Sequence, residues 1–205
     1  MEWLANKVLA SPAVYDFSQW LVGARYCHAR FMADMVRPAQ GERVLDIGCG
    51  VGACLRDIPD GVDYVGIDLS PEYIENARGR HREKGTFICA DVASVDTSTL
   101  GFYDRAFSHG VLHHLSDKEV ASTIDLVRRV VRPGGTYVTL DPLYLPGQSA
   151  MARYLIANDR GKYVRDQPGW ERLVSSLGTV RSTIYHDLLR VPYTLIIMEI
   201  TLDRD

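Results

Sequence analysis

The chain has 205 residues, 46% of them hydrophobic, and a net charge of −3. That length and apolar content predict one globular domain with a sizeable core and exclude a disordered chain. The pI near 6.1 gives no overall basic field for nucleic acid, and no run of about 18 apolar residues is present to span a membrane.

The first 40 residues predict helices. Ser11-Pro12 pairs an N-cap with proline at the first helical position. A second helix sets Cys27, Phe31 and Met35 on one stripe and stops at Pro38. No basic n-region followed by a continuous apolar stretch is present, so no signal peptide is expected. Trp3, Tyr15 and Trp20 suit either a cover over a ligand or a contact between copies, and the chain is expected to be a monomer or homodimer.

Strands and helices then alternate. Arg43–Ile47 reads as a strand that enters Gly48-Cys49-Gly50-Val51-Gly52 and a short helix over 53–57. Further strands are expected at 64–67, 86–89, 103–107 and 136–140. Ser70-Pro71 starts one intervening helix. Ser116-Asp-Lys-Glu119 is a capping box that starts another, with Val120, Ile124, Val127 and Val131 buried and Arg132-Pro-Gly-Gly135 at its end. Such alternation predicts an α/β fold with right-handed crossovers and a parallel sheet covered on both faces. Residues 142–169 read as an inserted helix and loop. They are followed by a helix over 170–177 and an antiparallel hairpin of strands 180–188 and 193–202, joined at Arg190-Val-Pro-Tyr193. The expected organisation is one domain over 1–205: a helical cap (1–40), a ligand-binding core (41–141), a substrate-side lid (142–169) and a terminal helix with hairpin (170–205).

Ligands of open parallel sheets bind beyond the carboxyl ends of the strands. Three of those ends carry acids in this sequence: Asp46, Asp68 and Asp91. Glycine at alternate positions 48, 50 and 52 lets a ligand approach the backbone. Asp68 suits the two hydroxyls of a ribose and Asp91 an exocyclic amine of adenine, with Leu69 and Val92 against the ring faces. Cys27, Cys49, Cys54 and Cys89 contain no C-x-x-C pair, so no metal site is expected and a reducing, cytoplasmic setting fits. The basic run Arg78–Lys84 reads as a solvated helix end.

Four segments together resemble class I S-adenosylmethionine-dependent methyltransferases: Val44–Gly52, Tyr64–Pro71, Ile88–Val92 and Phe107–Leu115. The resemblance is dense over residues 40–141. It implies a Rossmann-like, doubly wound sheet of seven strands, mostly parallel with an antiparallel last strand and helices on both faces. It also implies S-adenosylmethionine as cofactor and methyl transfer to a small-molecule acceptor by in-line displacement. By position, Asp46, Gly48, Cys49, Gly50 and Gly52 would face the methionine part. Asp68 would take the ribose, Asp91 the adenine with Leu69 and Val92 against its faces, and Ser108 and His109 would lie near the sulfonium. His109 is the candidate catalytic side chain; His113 and His114 are read as packing and capping of their junction. Tyr163, Arg165 and Tyr193 are candidate acceptor contacts.

Two other readings stay open on the sequence. Asp68 lies twenty residues past Gly48, as a ribose-binding acid of an NAD(P)-dependent oxidoreductase would. The G-x-G-x-G spacing and the lack of a Tyr-x-x-x-Lys pair oppose that reading. A non-catalytic S-adenosylmethionine-binding protein is the other.

Overall fold

The structure is a computed structural model that describes residues 23–203. The Ser11-Pro12 helix start and Trp3, Tyr15 and Trp20 lie outside the described residues.

The first described helix, α1 (Ala24–Arg30), widens into a π-helical turn over Phe31–Val36. Cys27, Phe31, Met32, Met35 and Val36 are buried on one face, the stripe read from the sequence. Arg37 stops the run in the left-handed conformation (φ 51°) with its N–H on the Met32 carbonyl, and Pro38 cannot extend it.

Next come β1 (Arg43–Ile47), β2 (Asp63–Asp68), α2 (Pro71–His81), β3 (Thr86–Cys89), α3 (Thr97–Leu100) and β4 (Tyr103–His109). They are followed by α4 (Asp117–Val130), β5 (Val131–Tyr144), α5 (Ala150–Ala157), the two-residue β6 (Arg165–Asp166) and α6 (Gln167–Val174). Strands β7 (Gly178–Tyr185) and β8 (Leu195–Leu202) complete the sheet. The order is β3-β2-β1-β4-β5-β8-β7, with β6 appended to β5. Strands β1 to β5 pair in parallel, and β8 runs antiparallel to both β5 and β7. This is the doubly wound seven-stranded sheet expected of the sequence.

Alternation along each strand divides the core into two layers. Leu45, Ile47, Val65, Ile67, Ala106 and Tyr137 face α4 and α6, whose Val120, Ile124, Val127 and Trp170 close that side. Val44, Tyr64, Phe107 and Val138 face the opposite layer, with Phe31, Met32, Ile74 and Ala77 from α1, its π turn and α2. A one-residue register slip would exchange the two sets, so the pattern fixes the register. The Ser116 capping box forms as expected, with Ser116 Oγ and the Glu119 carboxylate each bonding the other's backbone N–H, an arrangement worth about 1 kcal/mol.

Three expectations are corrected. Val131 does not end the α4 face; it opens β5 and pairs with Tyr103. Arg132–Gly135 is not a free turn but an irregular stretch within β5, where the register with β4 shifts between Tyr103 and Arg105. Gly134 takes φ 76° there. The last two strands are joined not by a tight turn at 190–193 but by residues 186–194, from which Leu188 is buried in the second core layer.

Candidate functional site

The strand order reverses between β1 and β4, and the crevice at such a switch point is where ligands of this architecture bind. The glycine turn occupies that place because β1 runs into it directly. The N–H groups of Gly48 and Cys49 both reach the Ile67 carbonyl of β2, at 2.8 and 3.0 Å. His81, at the end of α2, bonds the Val51 carbonyl through Nε2 at 3.1 Å. The turn is therefore fixed from two sides.

All three glycines have positive φ, but they differ in what surrounds them. A Cβ at Gly48 would stand 2.6 Å from Val111, and one at Gly52 would stand 2.9 Å from both His81 and Phe87. A Cβ at Gly50 would meet no heavy atom within 4 Å. Gly48 and Gly52 thus answer to internal packing, while Gly50 alone borders open space that a ligand can enter.

Asp68, the last residue of β2, closes one wall of that space. Its Oδ2 accepts the Gly50 N–H at 2.8 Å and its Oδ1 accepts the Ser70 N–H at 2.9 Å. A carboxylate offers about four acceptor positions, so two remain for a ligand's hydroxyls. Next to it Leu69 is 70% exposed, an apolar surface a ligand can reach. Asp91 is exposed beyond β3 and holds the Ala93 N–H in an Asx turn at 2.9 Å, while Val92 leans on the adjoining core.

Asp46 is buried below the turn and accepts the Tyr64 hydroxyl at 2.7 Å. Burial raises its pKa to about 7; the Tyr64 hydrogen bond opposes the rise and the nearby Asp68 charge adds to it. The carboxyl is therefore poised between neutral and charged forms near neutrality. Cys49, also buried, packs its sulfur beside Gly66.

At the end of β4 the two predicted residues diverge. Ser108 is fully buried and its hydroxyl pairs with that of Tyr137 at 2.8 Å, so the side chain serves the core rather than the crevice. His109 is half-buried against α1. Its ring meets His28 edge-on at 4.4 Å and Phe31 at 5.0 Å, and Cys27 Sγ lies 3.8 Å from its Nε2. Burial, with the neighbouring His28, holds the His109 pKa well below 6.5, so the imidazole is neutral.

The residues after β4 and β5 form a polar network that sequence reasoning did not assemble. Asp141 is completely buried within β5, which runs on to Tyr144 rather than ending at 140, and its Oδ1 meets both the backbone N–H (3.0 Å) and Nδ1 (2.9 Å) of His113. On the other side His113 Nε2 lies 3.3 Å from Asp159, which also accepts the Tyr193 hydroxyl at 2.8 Å and the Gly161 N–H at 2.8 Å. Burial alone would lower the His113 pKa. The hydrogen bonds and charges of Asp141 and Asp159 outweigh it and raise the value to about 9. His113 is thus a buried imidazolium that ties the 142–169 segment to the sheet.

The acceptor candidates fall on that segment and its neighbour. Arg165 does not present a free guanidinium. It bonds Asp117 twice, at 2.6 and 3.0 Å, and the carbonyls of Leu112, Leu115 and Tyr163, and it stacks over Trp170. Its five N–H groups are used internally, which makes it a brace. Tyr193 is engaged with Asp159, and Tyr163 is 42% exposed. A shallow cavity of about 440 Å³ lies nearby, lined by Tyr144, Ala150, Arg153, Tyr154 and Ala157.

These features define a doubly wound α/β protein with an acid-flanked, glycine-lined crevice at its switch point. Residues 44–135 match the family model for a methyltransferase domain. The chain is 31% identical over 139 residues to 24-methylenesterol C-methyltransferase 2 of Oryza sativa subsp. japonica, covering 62% of this chain and 38% of that protein. It is 42% identical over 82 residues to the aklanonic acid methyltransferase DauC of Streptomyces sp. (strain C5), covering 38% of this chain and 37% of the relative. The chain therefore spans well under half the length of these two relatives. Among solved structures it is similar to the chain in complex with the Haloferax volcanii Trm112 methyltransferase activator, with 19% identity and a TM-score of 0.71 over 95% of this chain and 96% of that one. Residues 44–135, a little under half of the chain, thus match a methyltransferase domain, and the solved structure shares the fold. No helix among the described residues is long and apolar enough to cross a membrane.

Proposed function

We propose that the chain binds S-adenosylmethionine in the crevice at the β1–β4 switch point and transfers its methyl group to a small-molecule acceptor. The observation that carries this reading is the Asp68–Gly50 bond, which sets a carboxylate with spare acceptor positions beside the one glycine of the 48–52 turn that borders open space. The donor set fits an adenosine. Asp68 takes the ribose hydroxyls, Leu69 and Val92 flank the adenine, Asp91 accepts from its amine, and Asp46 lies under the methionine end. The two named relatives methylate small molecules, as their names state, and the net charge of −3 gives no footprint for nucleic acid.

Bound S-adenosylmethionine supplies an already activated methyl group. The chain's share of the work is then to hold donor and acceptor in line and to exclude water. His109, neutral and at the carboxyl end of β4, contacts the reacting end of the crevice. The 142–169 segment, fixed by His113 and Arg165, forms the acceptor side, where exposed Tyr163 and the cavity beside Tyr144 and Tyr154 lie. The cysteines fit a reducing, cytoplasmic setting.

Calorimetry with S-adenosylmethionine, S-adenosylhomocysteine and NADH tests the ligand. Binding of the first two and not of NADH is the expected result, and preference for NADH overturns the reading. Transfer of labelled methyl into a small-molecule extract tests the reaction. Tight cofactor binding with no transfer to any extract would mark a non-catalytic binding protein instead.

A further inference from the structure

We infer that His28, Cys54 and His109 form a soft-metal site of the kind that holds Zn²⁺, at the carboxyl end of β4 next to the glycine turn. The ligand atoms of the three side chains all lie within 4.8 Å of one another. They come from three elements: His28 from α1, Cys54 from the 3₁₀ turn Ala53–Asp57 that follows Gly52, and His109 from the last position of β4.

The distances suit a tetrahedral ion. Zinc bonds nitrogen at about 2.0–2.1 Å and sulfur at about 2.3 Å, which places the ligand atoms of one site about 3.3–3.8 Å apart. Drawing the triad onto an ion therefore asks for side-chain movements on the order of 1 Å, within the reach of small χ rotations. Cys27 Sγ lies 3.8 Å from His109 Nε2, a second sulfur beside one of the ligands.

The edge-on contact of the two rings leaves their nitrogens without a hydrogen-bond partner between them. Neither the His28 ring nor the Cys54 thiol has a hydrogen-bond partner among the described residues, although Cys54 is buried. His113, His114 and Asp159 also cluster, but the His113 nitrogens are spent on Asp141 and Asp159. That cluster is closed by its own hydrogen bonds, whereas the His28 cluster is not.

Two imidazoles and one thiolate select zinc or copper over the hard, oxygen-seeking cations, and three protein ligands leave one position open. On binding, the Cys54 thiol gives its proton to solvent and the sulfur binds as thiolate. Metal binding is measured on the chain alone, with no methyl transfer needed as a readout.

The test uses the full chain, without a histidine tag and stripped by a chelator, titrated with Zn²⁺ and with Co²⁺. Native mass spectrometry should show one ion per chain. The cobalt form should show thiolate-to-metal charge-transfer absorption, with visible bands strong enough to report tetrahedral geometry. Cys54→Ser should abolish the charge-transfer band. His28→Ala should weaken affinity by at least about a hundredfold, since loss of even an outer partner of a metal ligand costs roughly 10–100-fold. Cys89→Ser, which alters the exposed thiol at the end of β3, should leave both signals intact. Absence of the band in the unmutated chain, or its survival in Cys54→Ser, overturns the inference. Should Cys54→Ser fail to fold, the half-exposed His28 decides, and unchanged cobalt affinity in His28→Ala is then the refuting result.

Discussion

The imidazolium of His113 makes the stability of this fold depend on pH in a defined window. Its side chain is only 7% exposed and sits between the carboxylates of Asp141 and Asp159. In the unfolded chain its pKa is near 6.5, and in the fold it is about 9. Because the folded value is the higher one, the proton stabilises the fold fully below pH 6.5, and that contribution is lost as pH rises through 9. At about 1.4 kcal/mol per unit, the loss approaches about 3 kcal/mol. His113→Asn can still donate a hydrogen bond to Asp141 but cannot carry charge. Urea unfolding of both proteins from pH 6 to 10 isolates this group. The unmutated chain should lose about 3 kcal/mol more than the variant across the window, with the two curves converging near pH 10. Parallel curves for the two proteins would refute the assignment of a buried imidazolium at this position.

The remaining predictions concern the crevice. Asp68→Ala should weaken S-adenosylmethionine binding by about 1.5–3 kcal/mol in calorimetry, the worth of charged hydrogen bonds, and an unchanged affinity would contradict the ribose assignment. Gly50→Ala should cost about 1–2 kcal/mol of stability for its left-handed backbone yet reduce cofactor affinity strongly, because its methyl enters the open space. Gly48→Ala should instead show its main defect in thermal unfolding, through the clash with Val111. Tyr64→Phe removes the hydroxyl that opposes the rise in Asp46, so the carboxyl should titrate above 7 when followed by carbon-detected NMR.

Much of the fold could be read from the sequence because its signals are local. Short apolar runs located β1 to β4 to within two residues, and the Ser70 and Ser116 caps fall where the hydroxyls bond the third residue onward. The errors came where tertiary pairing overrides local propensity. Pro133-Gly134-Gly135 reads as a turn on its own, yet the pull of β4 on Tyr137, Val138 and Thr139 extends the strand back through it. Likewise a proline at 192 suggests a tight turn, but burial of Leu188 holds a wider connection.

The site divides along the same physical line. Its proposed cofactor half is built by backbone at strand ends, where a glycine or an acid has to stand at a set position relative to the strand, so Gly50, Asp68 and Asp91 stand out as candidates in one dimension. The other half is built by side chains from segments far apart in sequence. His28 reaches His109 across 81 residues of chain, and Asp141, His113, Asp159 and Tyr193 meet from four separate elements. No spacing rule links such positions, since each contact depends on how helices and loops settle on the sheet. That is also why cysteine spacing carries no signal of the metal site proposed above. Motif spacing finds ligands carried on a single loop, whereas Cys54 and the two histidines converge only once α1 has packed over the glycine turn.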